Sequence, residues 1–236
     1  MGLWLVVMNP VETTIALSEL VTRRPDVAPV LEALGLDYCC GGTRSLTEAC
    51  ADAGLDVDEV VTRLSEESPA DAPADWASLG PAELVDHIEH IHHSYLGHAL
   101  PRLSELLSRV IDAHAERHPE LHDVRATFEE LRRDLEPHLE KEEEILFPMI
   151  RELHATQGES RFHSGSLQAP IGVMRLEHDR AGELLARLRA QTSAYTPPSD
   201  GCASYQALYT GLAELEADTH LHIHKENNLL FPAVVS

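Results

Sequence analysis

Six side chains in the C-terminal part of the chain have the types and spacing of metal ligands. His138-Leu-Glu-Lys-Glu142 and His222-Ile-His-Lys-Glu226 each place an imidazole four residues before a carboxylate. Each is followed at the same distance by Phe-Pro, at Phe147-Pro148 and Phe231-Pro232. Both stretches read H-x-x-x-E-x-x-x-x-F-P, and each matched pair is 84 residues apart (138 to 222, 142 to 226). Residues i and i+4 share one face of an α-helix, about 6 Å apart along its axis. An imidazole normally terminates one ion, whereas a carboxylate can bridge two. His93 precedes His138 by 45 residues and His178 precedes His222 by 44. The pattern is that of a duplicated helical hairpin, each half giving one His and then one His-x-x-x-Glu. Four histidines and two bridging glutamates would give each of two metals about two nitrogens and two oxygens. A solvent oxo or hydroxo bridge could add another donor and still leave room for a small ligand.

A single helical histidine is ordinarily a surface residue or a satisfied core residue. The matched duplication is what sets these four apart. The ligand types suit iron, manganese or zinc. The Glu-x-x-His pairs of ferritin-like bundles are not repeated here, since only Glu89-His90-Ile91-His92 fits, once. The His-Glu-x-x-His of zinc proteases is a different spacing. His92 and His90 are neighbours of His93 that could donate from behind it or compete with its register. His220 and His224 lie about 200° around their helix from His222 and should face away. His87, His98, His114, His118, His122, His154 and His163 are expected to face solvent.

A second chemical feature is the loop Asp37-Tyr38-Cys39-Cys40-Gly41-Gly42. Exposed loop thiols are liabilities without a role, so Cys39 and Cys40 are assigned a function: receiving iron, binding a cluster fragment or exchanging electrons. Tyr38 could pack on or donate to them. Gly41 and Gly42 would let the loop turn tightly. Cys50 and Cys202 read as small buried hydrophobes.

The elements that must position these groups are helical. Hydrophobic residues make up 43% of the 236 but aromatics only 5%, and strand-favouring runs are scarce. The sequence predicts an all-α protein: a small helical module over 9–67, a linker over 68–80, and an up-down-up-down four-helix bundle over 81–236. In the module, Thr13 or Thr14 caps a helix to about Arg24, and a second runs from Pro25 to Gly35. A third starts at Ser45, with Glu48 completing a capping box, and ends at Gly54. A fourth runs from Asp56 to about Glu67. Bundle helices are expected from Pro81 to about Glu116, from about Pro119 to His154, over 169–191, and over 203–234, with a polar connection at 155–168. Pro101, Pro137, Pro148 and Pro232 should kink these helices or mark their ends. Core stripes are expected at Leu96, Leu100, Leu103 and Leu107; at Ile145 and Met149; at Ile171, Met174, Leu185 and Leu188; and at Leu229, Leu230 and Ala233. All fifteen histidines fall between His87 and His224, so the two regions differ in chemistry.

A formal net charge of −22 repels phosphate backbones and anionic lipid, which argues against nucleic-acid and membrane partners. No run reaches the ~18 apolar residues of a spanning helix. The apolar start, Met1 to Met8, lacks a basic n-region and is not read as a signal peptide; Met8 is the expected start. Four cysteines without a disulfide pattern suit a reducing cytoplasm.

Residues 80–234 resemble hemerythrin-like domains, and the chain from about residue 12 resembles the iron–sulfur cluster repair di-iron proteins (RIC or ScdA-like family). The matching signatures are Asp37-Tyr38-Cys39-Cys40-Gly41-Gly42, Glu140 to Pro148 (EKEEEILFP), Glu177-His178-Asp179, and Glu226 to Pro232 (ENNLLFP). The resemblance implies two iron ions in an oxo-bridged di-iron centre. Their ligands would be His93, His138, His178 and His222, with Glu142 and Glu226 bridging. It also implies a cytoplasmic, often dimeric protein that restores iron–sulfur clusters damaged by nitric oxide or peroxide. Two activities are weighed: delivery of iron to damaged clusters, through a Cys39–Cys40 relay, and reduction or sensing of nitric oxide or oxygen at the metal pair. Oxygen carriage is disfavoured, because a carrier has no use for the Cys-Cys module.

Overall fold

The computed structural model describes residues 11–66, 76–155 and 167–235. The expected Met8 start, most of the linker, the greater part of the 155–168 connection and His163 lie outside them. The chain divides into two compact units, one ending at Ser78 and the other starting at Leu79. Among the described residues the regular elements are helices, and the all-α fold class holds.

The first unit holds α1 (Leu17–Arg23), a 3-10 turn (Pro25–Val27), α2 (Ala28–Ala33), α3 (Leu46–Ala53) and α4 (Val57–Glu66). α1 starts later than the Thr13/Thr14 expectation. The chain before it is spent on a different contact: the Thr13 carbonyl accepts from Thr47 N and Ala16 bridges Ser45. The Ser45–Glu48 capping box forms as expected, and Gly54 closes α3 in the left-handed conformation (φ 68°). Asp56 caps α4, its Oδ1 accepting from Asp58 N and Glu59 N.

The second unit consists of four rods. The first is α5 (Pro81–Ile88), a π turn (Glu89–His93) and α6 (Ser94–His114). The second is α7 (Leu121–Lys141), a π turn (Glu142–Leu146) and α8 (Phe147–Ala155). The third is α9 (Gln168–Gln191); the fourth is α10 (Ala203–Lys225), a π turn (Glu226–Leu230) and α11 (Phe231–Val235). α6 packs on α7 and α10, and α9 on α7 and α10, which closes the ring of four.

The π turns correct the expected core stripes. Each inserts one residue, so the face that points inward moves by about 100° beyond it. Ile145 is therefore 54% exposed, and Leu146, Phe147 and Ile150 are buried in its place. In the fourth rod Ala233 is likewise exposed while Leu230 and Phe231 are buried. The stripes of the first and third rods, Leu96 to Leu107 and Ile171 to Leu188, are buried as expected. Pro148 and Pro232 explain two of the turns. A proline inside a regular helix leaves the carbonyl four residues back without a donor and clashes with it. Each proline instead sits second in the segment that follows a π turn. Pro101 and Pro137 do not mark helix ends, since α6 and α7 run on through both positions.

Candidate dinuclear metal centre

Of the six candidate ligands, His93, Glu142 and Glu226 lie in the π turns, His138 and His222 in the last turns of α7 and α10, and His178 in the middle of α9, and all six are buried. Glu142 and Glu226 are wholly inaccessible to solvent. Glu142 Oε2 lies 3.4 Å from His93 Nε2 and 3.7 Å from His222 Nε2, while its Oε1 lies 3.4 Å from His138 Nε2. Glu226 Oε2 lies 3.0 Å from His178 Nε2 and its Oε1 3.4 Å from His222 Nε2. His138 Nε2 and His178 Nε2 face each other at 3.2 Å. The donors sort into two groups, His93–Glu142–His222–Glu226 and His138–Glu142–His178–Glu226. Within each group the donor atoms all lie within 4.8 Å of one another. Both groups share both carboxylates, which is the arrangement two bridged ions require.

The donor atoms also lack ordinary partners. Both oxygens of Glu142 and of Glu226, with Nε2 of His93 and of His222, are buried and without a well-formed hydrogen bond among the described residues. Leaving that many polar atoms unsatisfied in a core is costly unless a cation occupies the space between them. The residues fit a pair of metal ions.

The electrostatics agree in direction. Burial and the Glu226 charge push the Glu142 carboxyl up, but His138, His222 and His93 outweigh them and hold it below its ordinary value. Burial also pushes Glu226 up, and His222 with His178 holds it well below the usual carboxylate range. Both carboxyls are thus kept as anions, the form that binds metal.

Behind the ligands stands a set of groups the sequence did not single out for this role. His93 Nδ1 meets Glu143 Oε1 at 2.8 Å, His138 Nδ1 meets Glu177 Oε2 at 2.8 Å, and His178 Nδ1 meets Asn227 Oδ1 at 3.0 Å. Such oxygens fix a ligand ring and its tautomer. Glu143 and Asn227 could have been found from the duplication, since each directly follows a candidate bridging glutamate. The Phe of each Phe-Pro does parallel work: Phe147 stacks on His93 (centroids 5.4 Å apart) and Phe231 on His178 (5.9 Å). Each half of the repeat therefore supplies an oxygen and a ring to the histidine of the rod before it.

The remaining histidines correct several expectations. His92 is not a ligand candidate in the structure. It stacks on His222, its Nδ1 bonds Asp218 Oδ1 at 2.8 Å, and its Nε2 accepts from Lys225 Nζ at 2.6 Å. Burial brings its imidazole down to about 4. His87, expected in solvent, is half-buried and accepts from the same ammonium at 2.9 Å. His114, also expected in solvent, is buried, with Nε2 3.1 Å from Cys202 Sγ, because it closes the far end of the first rod against Tyr205. His118, too, is half-buried, held between Glu120 and Asp200. His98, His122 and His154 are exposed. His224 is in neither donor group and is buried beside Asn228.

In the first unit, Asp37 organises the cysteine loop. Its carboxylate accepts from Cys39 N at 2.9 Å, Cys40 N at 3.0 Å and Gly41 N at 2.7 Å. Cys39 is buried rather than exposed, Cys40 is partly accessible, and their sulfurs lie 3.9 Å apart. The bond with Cys40, burial and the Asp37 charge together raise the Cys39 thiol well above its ordinary value. Tyr38 packs in the core and donates to Glu32 Oε1 at 2.7 Å, not to the thiols. Gly42 is required by a close approach, since a Cβ there would stand 2.2 Å from the Tyr38 carbonyl oxygen. No disulfide joins the four cysteines, and Cys202 is exposed, contrary to the buried reading.

Comparison with known proteins matches residues 84–234 to the hemerythrin HHE cation binding domain and residues 14–68 to the ScdA N-terminal domain, described as a domain of unknown function (DUF542). A relative from Haemophilus influenzae, named "Probable iron-sulfur cluster repair protein", is 37% identical over 223 residues, covering 93% of this chain and 96% of its own. The chain belongs to the iron–sulfur cluster repair family. A further relative, "Iron-sulfur cluster repair protein YtfE" of Escherichia coli O81, is 35% identical over 220 residues with the same coverage of both chains. In this repair-family chain both parts of the resemblance hold, the cysteine-bearing module and the hemerythrin-like bundle. No helix among the described residues is long and apolar enough to cross a membrane.

Proposed function

We propose that this protein binds two iron ions at the bundle centre and repairs damaged iron–sulfur clusters by supplying iron to them. The observation that carries the reading is the pair of donor groups sharing Glu142 and Glu226. Two ions that share the same two carboxylates divide that negative charge and repel each other, so one of the pair is held less tightly than a single ion would be, as a cargo cation must be. When bound, the ion pair supplies redox chemistry and Lewis acidity. The chain's own residues hold two anions and four imidazoles in a water-poor core, with Glu143, Glu177 and Asn227 orienting three of the rings. The vicinal thiols are the proposed relay. At 3.9 Å apart the two sulfurs can both reach one ion, and Cys40 is the accessible member. The partners are damaged iron–sulfur proteins, and the cytoplasm is the compartment in which such thiols stay reduced.

The test is transfer. The iron-loaded protein is mixed with an enzyme carrying a degraded cluster, with no iron added, and enzyme activity is followed. Recovery in proportion to iron lost from the bundle is the expected result. Catalytic formation of nitrous oxide from nitric oxide with a reductant, without transfer, would favour the second reading, a nitric oxide or oxygen reductase or sensor. That reading draws on the four donors in each group, which leave coordination positions for a small ligand. A Cys39→Ser/Cys40→Ser variant that repairs as well as the parent would remove the thiols from the pathway.

A further inference from the structure

Three of the four candidate ligand imidazoles are held from behind by an oxygen, as described above. His222 is the exception. Its Nδ1 is buried and has no hydrogen-bond partner among the described residues. The ring lies instead against His92, with centroids 5.6 Å apart and planes 8° from parallel. Stacking leaves a ring free to rotate in its own plane, whereas a hydrogen bond at Nδ1 fixes the direction of the Nε2 lone pair. Losing such a partner costs roughly 10–100-fold in metal affinity.

The deficit falls on one side of the centre. His222 shares its donor group with His93, while His138 and His178 make up the other group. Both rings of that second group are oriented, one by Glu177 and one by Asn227. Lys141 also binds Glu177, which tempers that carboxylate's negative charge but leaves its geometry in place. We infer that the two ions are unequal: the ion held by His93 and His222 is the one handed over, and His222 is the ligand that lets go first. The inference rests on the delivery reading and names which half of the site serves it. The other ion, with both rings anchored, stays to keep the bridging carboxylates in place for reloading.

Glu143 and Asn227 act here as positioning residues, and they act on different ions. The experiment uses the full chain loaded with two equivalents of iron, reduced, and mixed with a coloured ferrous chelator. Iron release is followed by absorbance. The expected result is two phases of one equivalent each, roughly tenfold or more apart in rate. Glu143→Leu, which strips the oxygen from His93, should speed only the fast phase. Asn227→Leu, which strips it from His178, should speed only the slow phase by roughly tenfold, and Asn227→Asp should slow it. A merely structural effect of either substitution would move both phases together. A single phase in the unsubstituted protein overturns the inference, as does Asn227→Leu acting on the fast phase. If Asn227→Leu loads poorly, the Asn227→Asp arm decides by itself. Repair that fails while two-phase release persists counts against the delivery reading only; single-phase release with intact repair counts against this inference only.

Discussion

The ring of Phe231 lies flat against His178, with centroids 5.9 Å apart and planes 2° from parallel. The phenylalanine of the repeated Phe-Pro is thus a backing plate for the candidate ligand on the preceding rod as well as a core residue. Phe231→Ala should lower the stability of the metal-free protein by about 3–5 kcal/mol, the usual cost of emptying a buried aromatic site. Phe147→Ala should do the same beside His93. Denaturant unfolding at fixed pH measures both. A loss under about 1 kcal/mol at both positions would show that these rings are not part of the packed core.

Iron should stabilise the bundle by mass action. At free metal about a hundredfold above its dissociation constant the gain is about 2.7 kcal/mol. For a protein of this size that is a rise of about 5–10 °C in melting temperature. Chelation should reverse it. His178→Ala removes one donor from the better-anchored group, so bound metal should fall to about one equivalent or less and most of the thermal gain should vanish. Metal analysis with calorimetry checks this. Two tightly bound equivalents in His178→Ala would take that residue out of the ligand set.

Thiol labelling should follow the environments of the four cysteines. Brief alkylation of the reduced, folded protein near pH 7.5, read by peptide mass spectrometry, should mark Cys40 and Cys202 first. Cys39 should lag, because the bond with Cys40, burial and the Asp37 charge hold its thiol above the ordinary value. Cys50, raised by burial, should lag with it. Asp37→Ala removes the acceptor of three loop N–H groups and should bring Cys39 into the fast class. Equal rates for Cys39 and Cys40 in the parent protein would contradict the loop geometry.

Lys225 should give the metal-free protein a distinctive alkaline profile. Burial lowers its ammonium from the ordinary 10.5 to about 8. Below about pH 8 the folded chain carries a buried charge that unfolding would release to water. Between about 8 and 10.5 the folded chain has lost that proton and the unfolded chain still holds it, so stability rises with pH. Relative to Lys225→Met, the gain should be on the order of 3 kcal/mol over that window. Denaturant midpoints for both proteins at several pH values test it, and parallel curves would mean that the ammonium is well solvated.

The candidate ligands were legible in the sequence because their signal is local. A His and a Glu four residues apart share a helix face wherever that helix packs, and the copy 84 residues on repeats the statement. The helical class, the capping box at Ser45–Glu48 and the left-handed Gly54 are local for the same reason. The rest depended on contacts between rods. Periodicity cannot announce a π turn, because one inserted residue shifts every later side chain by about 100°; that is why Ile145 points outward and Phe147 inward. The pairing of His93 with His222, and of His138 with His178, was decided only by how four rods close on one another. So were the oxygens of Glu143, Glu177 and Asn227, the burial of Cys39 behind Asp37, and the meeting of His114 with Cys202. A side chain's face follows from its own helix; what stands across from that face is set by the packing of residues far away in the chain.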